Sequence, residues 1–156
     1  MIEQTEQEEM KIIVFQLKDK EYALPVNHVK AIEKILHITR VPRTVPFIKG
    51  VINLRGVIIP IIDLRIRFAL DEQVYTEQTR IIIVTLDGMD AGLIVDSAND
   101  VIDILMEIIE PQPDVVGSVA DEFISGVVKL DKRLLILLNL EKVLNPEETL
   151  LAVKEG

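Results

Sequence analysis

The chain of 156 residues contains no cysteine. This absence excludes disulfides, thiol catalysis and zinc sites built on Cys ligands, and it is typical of a reducing compartment. No apolar run approaches the roughly 18–20 residues that a helix needs to cross a bilayer. The first ten residues, MIEQTEQEEM, are acidic where a signal peptide is basic and then apolar. We therefore expect a cytoplasmic protein with no membrane insertion.

Basic residues are also in deficit, with 17 Lys and Arg against 26 Asp and Glu and a net charge of −9. Nucleic-acid binding depends on neutralising phosphates with Lys and Arg, so we expect no nucleic-acid partner. The deficit is uneven, because residues 30–67 carry eight basic and two acidic side chains, which leaves −15 for the rest of the chain. Such a basic segment steers an acidic partner onto one surface, although solvated strand edges have the same composition.

Residues suited to catalysis or metal binding are few and scattered. The two histidines, His28 and His37, lack the spacing of metal ligands. No serine lies in a GxSxG elbow, and the glycines form no phosphate-binding loop. Asp96, Asp100 and Asp103 are close enough in sequence to suggest a divalent cation, but they alternate with apolar residues as solvent-facing strand residues do. The sequence predicts no enzyme, no cofactor and no metal site.

The most informative stretch is residues 50–65, GVINLRGVIIPIIDLR. Two short β-branched runs flank LRGV at 54–57, a pattern typical of a β-hairpin. Gly56, with no Gly or Asn before it, favours a type I turn followed by a left-handed glycine. Arg55 is then at the hairpin tip in solvent, where it meets the carboxylate of a partner or pairs with Asp63 of its own hairpin.

The chain contains an internal repeat. Residues 46–68 align without a gap with residues 122–144, and residues 11–26 match residues 80–95. Identical residues at equivalent positions are Phe47 and Phe123, Ile48 and Ile124, Gly50 and Gly126, Leu54 and Leu130, and Leu64 and Leu140. Two copies of a roughly five-stranded unit predict a mostly β protein of two small barrels, with apolar surface buried between them.

This repeat also predicts the domain organisation. We expect a flexible acidic tail at 1–10, a first barrel repeat at 11–70, a link at 71–78, a second barrel repeat at 79–138 and a C-terminal helical segment at 139–156. Whether strands are exchanged between the barrels is left open. Arg55-Gly56 of the first copy becomes Asp131-Lys132 in the second, so the turn itself does not require arginine. Gly50 and Gly126 are expected to be structural, permitting a tight backbone entry to the strand, as Gly56 permits the turn.

Several ordered motifs resemble one known family. These are VPRTVPFIKG followed by GVINLRGVIIPIIDLR, then GLIVDSANDV, then IIEPQP at 108–113, and finally LLILLNLEKVL. Together they resemble CheW, the family of bacterial chemotaxis coupling proteins, over about residues 11–144. No kinase or receiver module accompanies them, so the resemblance is to the stand-alone adaptor.

The resemblance implies two five-stranded SH3-like barrels around a shared hydrophobic interface. It also implies a non-catalytic scaffold that joins the cytoplasmic tips of methyl-accepting chemoreceptors to the regulatory domain of the histidine kinase CheA. Such a protein is recruited to membrane-associated receptor arrays and self-associates with related domains in rings.

The resemblance further implies site residues, position by position. The receptor-binding positions fall on Val29, Val95, Val101 and Arg55. The kinase-binding positions fall on Ile32, Ile35, Ile38, Thr39 and Arg55. One departure is that this chain has Ala31-Ile32 where many members have Glu-Ile, so an ion pair from that acidic position is absent or is replaced by Glu33.

Two other functions remain open at this point. One is a small-ligand-binding barrel or an enzyme with a pocket between the halves. The other is the same scaffold in a signalling pathway other than chemotaxis.

Overall fold

The computed structural model of the chain describes residues 8–42, 44–111 and 122–149. The β-branched runs form strands, and only short helical turns connect them. The strands are β1 (Glu9–Leu17), β2 (Lys20–Pro25), β3 (Val29–Lys34), β4 (Ile48–Leu54), β5 (Val57–Asp63), β6 (Arg80–Leu86), β7 (Met89–Val95), β8 (Ser97–Leu105), β9 (Ile109–Pro111), β10 (Ile124–Lys129) and β11 (Leu134–Leu138). The helices are α1 (Leu64–Arg67) and α2 (Leu140–Leu144), with 3-10 turns at Val26–His28 and Met106–Ile108.

The strands form two sheets, as the repeat predicts. One sheet has the order β8-β1-β2-β11-β10-β9, and the other has the order β3-β6-β7-β5-β4. Neighbouring strands are antiparallel except for two parallel pairs, β2 with β11 and β5 with β7. The prediction of a mostly β protein with two SH3-like subdomains is confirmed.

Each sheet takes strands from both copies of the repeat. The hairpin β1–β2 lies beside β10 and β11, and the equivalent hairpin β6–β7 lies beside β4 and β5. The two parallel pairs are the seams at which the copies meet. Strands are therefore exchanged between the barrels, which answers the question that the sequence left open. Apart from β9, the two sheets have the same strand order in terms of repeat positions, as two copies of one unit require.

Strands at the centre of the molecule are apolar on both faces because each face meets a different core. In β6, Ile81 and Ile83 point into the barrel of the five-stranded sheet, while Ile82 and Val84 point between the barrels. The barrel of the six-stranded sheet has its own core. The shared core between the barrels includes Phe15, Leu24, Phe47, Phe68, Leu93, Val95, Phe123, Leu138 and Leu144. Burying this apolar area joins the barrels, since neither has a large core of its own.

A glycine marks the same irregularity in both copies. The register of β4 against β5 shifts between Ile48 and Gly50, and that of β10 against β11 shifts at Gly126. A Cβ atom on Gly50 would lie 2.2 Å from the carbonyl oxygen of Thr39, and one on Gly126 would lie 2.8 Å from that of Glu110. The neighbouring backbone therefore approaches too closely for a side chain at either position.

The ends of the ordered elements differ in detail from the predictions. Order begins before Lys11, because Glu9 and Met10 already pair with the end of β8. Asp and Asn are preferred cap residues, and both helices use one: the Asp63 carboxylate accepts from the first amides of α1, and the Asn139 side chain accepts from the Lys142 amide of α2. Residues 146–149 are helical. Residues 1–7 of the predicted tail and the remainder of the predicted C-terminal helical segment lie outside the described residues.

Candidate functional site

The hairpin between β4 and β5 ends in a two-residue turn. Leu54 pairs with Val57, and both central residues have positive φ angles, 53° at Arg55 and 86° at Gly56. These angles define a type I′ turn, so the prediction of a type I turn was wrong. The twist of a primed turn matches the right-handed twist of the strands, and this outweighs the cost of placing an arginine in the left-handed region. The Asn53 side chain stabilises the turn by accepting from the Gly56 amide at 2.9 Å.

Arg55 projects from this turn into solvent, with 77% of its side chain exposed. Its guanidinium lies 3.9 Å from the Glu33 carboxylate, the residue expected to replace the missing acidic position. The alternative pairing with Asp63 is wrong. Asp63 is buried at the opposite end of β5, where it caps α1 and accepts from the Tyr75 hydroxyl at 3.3 Å. An exposed ion pair at 3.9 Å contributes little, so Arg55 is available to a carboxylate of another molecule.

Two apolar residues missed by the sequence reasoning lie beside Arg55. Val57 and Ile58 are 52% and 44% exposed, although they begin a strand whose later residues are buried. Consecutive strand residues point to opposite faces, so exposure of both shows that the hairpin extends beyond the body of the barrel. We call Arg55, Val57 and Ile58 the tip surface. The continuous apolar run VIIPII gave no alternation that could have distinguished its exposed end.

The residues assigned to kinase binding fall into two groups. Ile32 on the edge strand β3 is 42% exposed. Ile35 and Ile38 are half-buried against the core of the five-stranded barrel. The side chain of Thr39 is exposed, but its backbone exchanges two hydrogen bonds of 2.8 Å with Val51. Ile32, Thr39 and Arg55 are thus the exposed members of this set.

The residues assigned to receptor binding are also divided. Val101 lies on the edge strand β8 opposite Ile13 and is 56% exposed. Val29 is half-buried against the shared core. Val95 is fully buried in that core, so its side chain is not accessible to a partner. Within this group, the accessible apolar surface is at Val101.

Arg65 of the basic segment is used inside the molecule. The Arg65 guanidinium binds the Asp96 carboxylate through Nε at 2.8 Å and Nη2 at 2.5 Å. This hydrogen bond raises the pKa of Arg65 against the opposing effect of burial. Burial opposes ionisation of Asp96 as well, but the bonds from Arg65 and from the Lys18 amide outweigh it and lower the pKa of Asp96. The Arg65–Asp96 pair joins α1 to the turn between β1 and β2.

The three aspartates considered for a cation each bind a basic side chain instead. Asp96 binds Arg65, Asp100 accepts from Arg133 at 3.0 Å, and Asp103 pairs with Lys11 at 2.9 Å. In the described part of the chain, no group of His, Asp and Glu side chains is arranged to hold a metal ion. None of the helices described there is long and apolar enough to span a membrane.

Comparison with known proteins gives one consistent result. Residues 11–148 match the family model described as the CheW-like domain. The protein named Chemotaxis protein CheW from Bacillus subtilis (strain 168) is 46% identical over 145 residues, covering 93% of this chain and 93% of that protein. The protein of the same name from Klebsiella aerogenes is 40% identical over 136 residues, covering 87% of this chain and 82% of its own.

A solved structure shows the same architecture. The crystal structure of the scaffolding protein TtCheW from Thermoanaerobacter tengcongensis superimposes with a TM-score of 0.80 at 41% sequence identity. The superposition covers 86% of this chain and 91% of that one.

Proposed function

The chain belongs to the CheW family of chemotaxis scaffold proteins, and we propose that it is a non-catalytic adaptor coupling chemoreceptor tips to the histidine kinase CheA. The proposal follows from the family and from the accessible surfaces of the two barrels. An adaptor needs two separate binding surfaces held in a fixed relation. The tip surface and Ile32 lie on the barrel of the five-stranded sheet, and Val101 lies on that of the six-stranded sheet.

The observation that carries the proposal is the tip surface. An arginine with 77% of its side chain exposed lies next to two exposed aliphatic residues on a projecting hairpin. Guanidinium groups bind carboxylates in a fork geometry, and apolar neighbours exclude water from such a contact. We assign this surface to protein recognition, with Arg55 as its central residue and Ile32 as a further kinase contact.

The receptor contact is proposed on the other barrel, around Val101. Half-buried Val29 and buried Val95 support it from within, through the shared core. Ile35, Ile38 and Thr39 support the kinase contact in the same way, through the five-stranded barrel. Binding of both partners would recruit the protein from the cytoplasm to membrane-associated receptor arrays, with self-association in rings.

Co-sedimentation of the purified protein with CheA and a receptor signalling fragment tests this function. Arg55→Ala should abolish most of the ternary assembly while changing the free energy of unfolding by no more than about 0.5 kcal/mol. Lys132→Ala is a matched control, because Lys132 is an exposed cation at the equivalent hairpin tip of the second copy. That variant should assemble like the unmodified protein.

Three results would contradict the proposal. Loss of the folded state in Arg55→Ala would make the residue structural. Failure of the unmodified protein to bind either CheA or the receptor fragment, together with saturable binding of a metabolite, would support a small-ligand barrel. Capture of a different kinase and receptor pair would place the scaffold in a pathway other than chemotaxis.

A further inference from the structure

Arg67, the last residue of α1, lies where the two barrels meet. Its guanidinium carbon is 3.8 Å from the ring centroid of Phe47 and 4.6 Å from that of Phe123. The same group donates to two carbonyl oxygens near the C-terminus of α2, through Nε to Val143 at 3.0 Å and Nη2 to Lys142 at 2.8 Å. One side chain therefore contacts both rings and the far helix at once.

These contacts join the two copies of the repeat. Phe47 and Phe123 occupy the same position in the two copies of the repeat. Each is fixed by its own backbone: the Phe47 carbonyl accepts from the Asp63 amide at 3.2 Å, and the Phe123 carbonyl accepts from the Asn139 amide at 2.7 Å. Each phenylalanine is therefore held next to the cap residue of one helix, and Arg67 contacts both rings.

The arrangement is not symmetric, because the second copy has Val143 at the position equivalent to Arg67. Burial lowers the pKa of Arg67, an unfavourable effect that the fold accepts for a charge in this place. Two aliphatic residues would have completed the shared core without that cost. The half-buried cation instead fixes an orientation, since cation–π contacts and bonds to helix carbonyls form only in one relative orientation of the two elements.

We infer that Arg67 is a clasp that fixes the relative orientation of the two barrels, acting as a positioning residue for their binding surfaces. The tip surface and Val101 are on different barrels, so the clasp sets the geometry between them. The functional part of this inference rests on the proposed adaptor role. The geometric part does not, and it can be tested without any partner.

Backbone residual dipolar couplings of the labelled protein in a weakly aligning medium measure the orientation. In the unmodified chain, couplings from both barrels should fit a single alignment tensor. Arg67→Met removes the cation and both hydrogen bonds, so the two barrels should require separate tensors while each still fits its own. We also expect the melting temperature to fall by roughly 5 °C. Arg67→Lys keeps a cation near the rings but cannot bridge both carbonyls. Its deviation from a single alignment tensor should therefore lie between those of the unmodified chain and Arg67→Met.

Arg80→Met is the matched control. Arg80 also donates to two carbonyl oxygens, those of Glu77 at 2.7 Å and Thr79 at 2.8 Å, but both belong to a local turn. This variant should lose stability and keep the single tensor, so the orientation measurement separates a clasp from a merely structural arginine.

The outcomes are distinct. A single tensor in both Arg67 variants, as in Arg80→Met, would overturn the inference. If Arg67→Met does not fold, Arg67→Lys compared with Arg80→Lys decides in the same way. Separate tensors together with normal ternary assembly would confirm the clasp and remove its link to the adaptor function.

Discussion

The two hairpin tips occupy equivalent positions in the repeat and differ in how their arginines are paired. At the first tip, Arg55 is exposed and contacts Glu33 only at 3.9 Å. At the second tip, Arg133 lies one step inside the turn and binds the Glu21 carboxylate at 2.9 and 3.0 Å and Asp100 at 3.0 Å. The first copy has Val57 in the place of Arg133. Arg133 is therefore paired within the molecule, whereas Arg55 is left for another molecule.

The turns themselves differ for a reason visible in the sequence. Gly56 permits a turn with two positive φ angles, which forces Arg55 into the left-handed region as well. Neither Asp131 nor Lys132 has a positive φ, although Leu130 and Arg133 pair at the positions of Leu54 and Val57. Both barrels therefore require a closed hairpin at this position. Only the first hairpin combines it with an exposed arginine in a strained turn.

The largest expected effect on stability concerns the glycine that both copies have at the strand irregularity. Gly50→Ala should lower the free energy of unfolding by roughly 3–5 kcal/mol, because its methyl group would meet the Thr39 carbonyl at 2.2 Å. Gly126→Ala, with its closest contact at 2.8 Å, should cost about 2 kcal/mol. Urea unfolding measures both. Equal losses would show that the two bulges do not differ in tightness.

The next effect concerns the Arg65–Asp96 pair, which only α1 has, since α2 carries exposed Glu141 at the position of Arg65. Asp96→Asn should cost about 2 kcal/mol at pH 7. Folding lowers the pKa of Asp96, so its contribution is complete above the unfolded value of about 4 and is lost as pH falls through the folded value.

The free energies of unfolding of the unmodified protein and of Asp96→Asn, measured as a function of pH, should therefore converge in acid. Asp103→Asn is the control, because its pair with Lys11 is more than half exposed on both sides and should contribute little at any pH. A constant difference between the unmodified protein and Asp96→Asn from pH 7 to pH 3 would contradict the assignment.

The sequence predicts an element of this fold where the segment has a local pattern of apolar, polar and turn residues. It fails where a strand is apolar throughout. The hairpins, the repeat and both helix caps follow from local patterns. The strand exchange does not, because β1–β2 has the same two apolar faces in either barrel. Burial of Val95 and exposure of Val57 were missed for a related reason: in an all-apolar strand, only the neighbouring barrel decides which residues are covered. The turn at Arg55 was mistaken because strand twist outweighed the preference of arginine.

A smaller effect distinguishes the two tip arginines directly. Arg133→Ala should cost about 1 kcal/mol, since it removes three charged hydrogen bonds on a side chain that is about one-third exposed. High salt should reduce this cost by screening. Arg55→Ala should cost less than half as much under the same conditions. A larger loss for Arg55→Ala than for Arg133→Ala would reverse the comparison of the two tips.

The smallest effect has the opposite sign. Asparagine followed by glycine is the preferred pair for a type I′ turn, so Arg55→Asn should relieve the left-handed strain at φ 53° and raise the free energy of unfolding by about 0.5 kcal/mol. The same variant should bind CheA and the receptor fragment more weakly, because it lacks the guanidinium. Chemical denaturation and co-sedimentation of one preparation measure both. A gain in stability with a loss of binding would show that arginine at the first tip serves recognition and lowers the stability of its own turn. Unchanged binding would show that Arg55 takes no part in recognition.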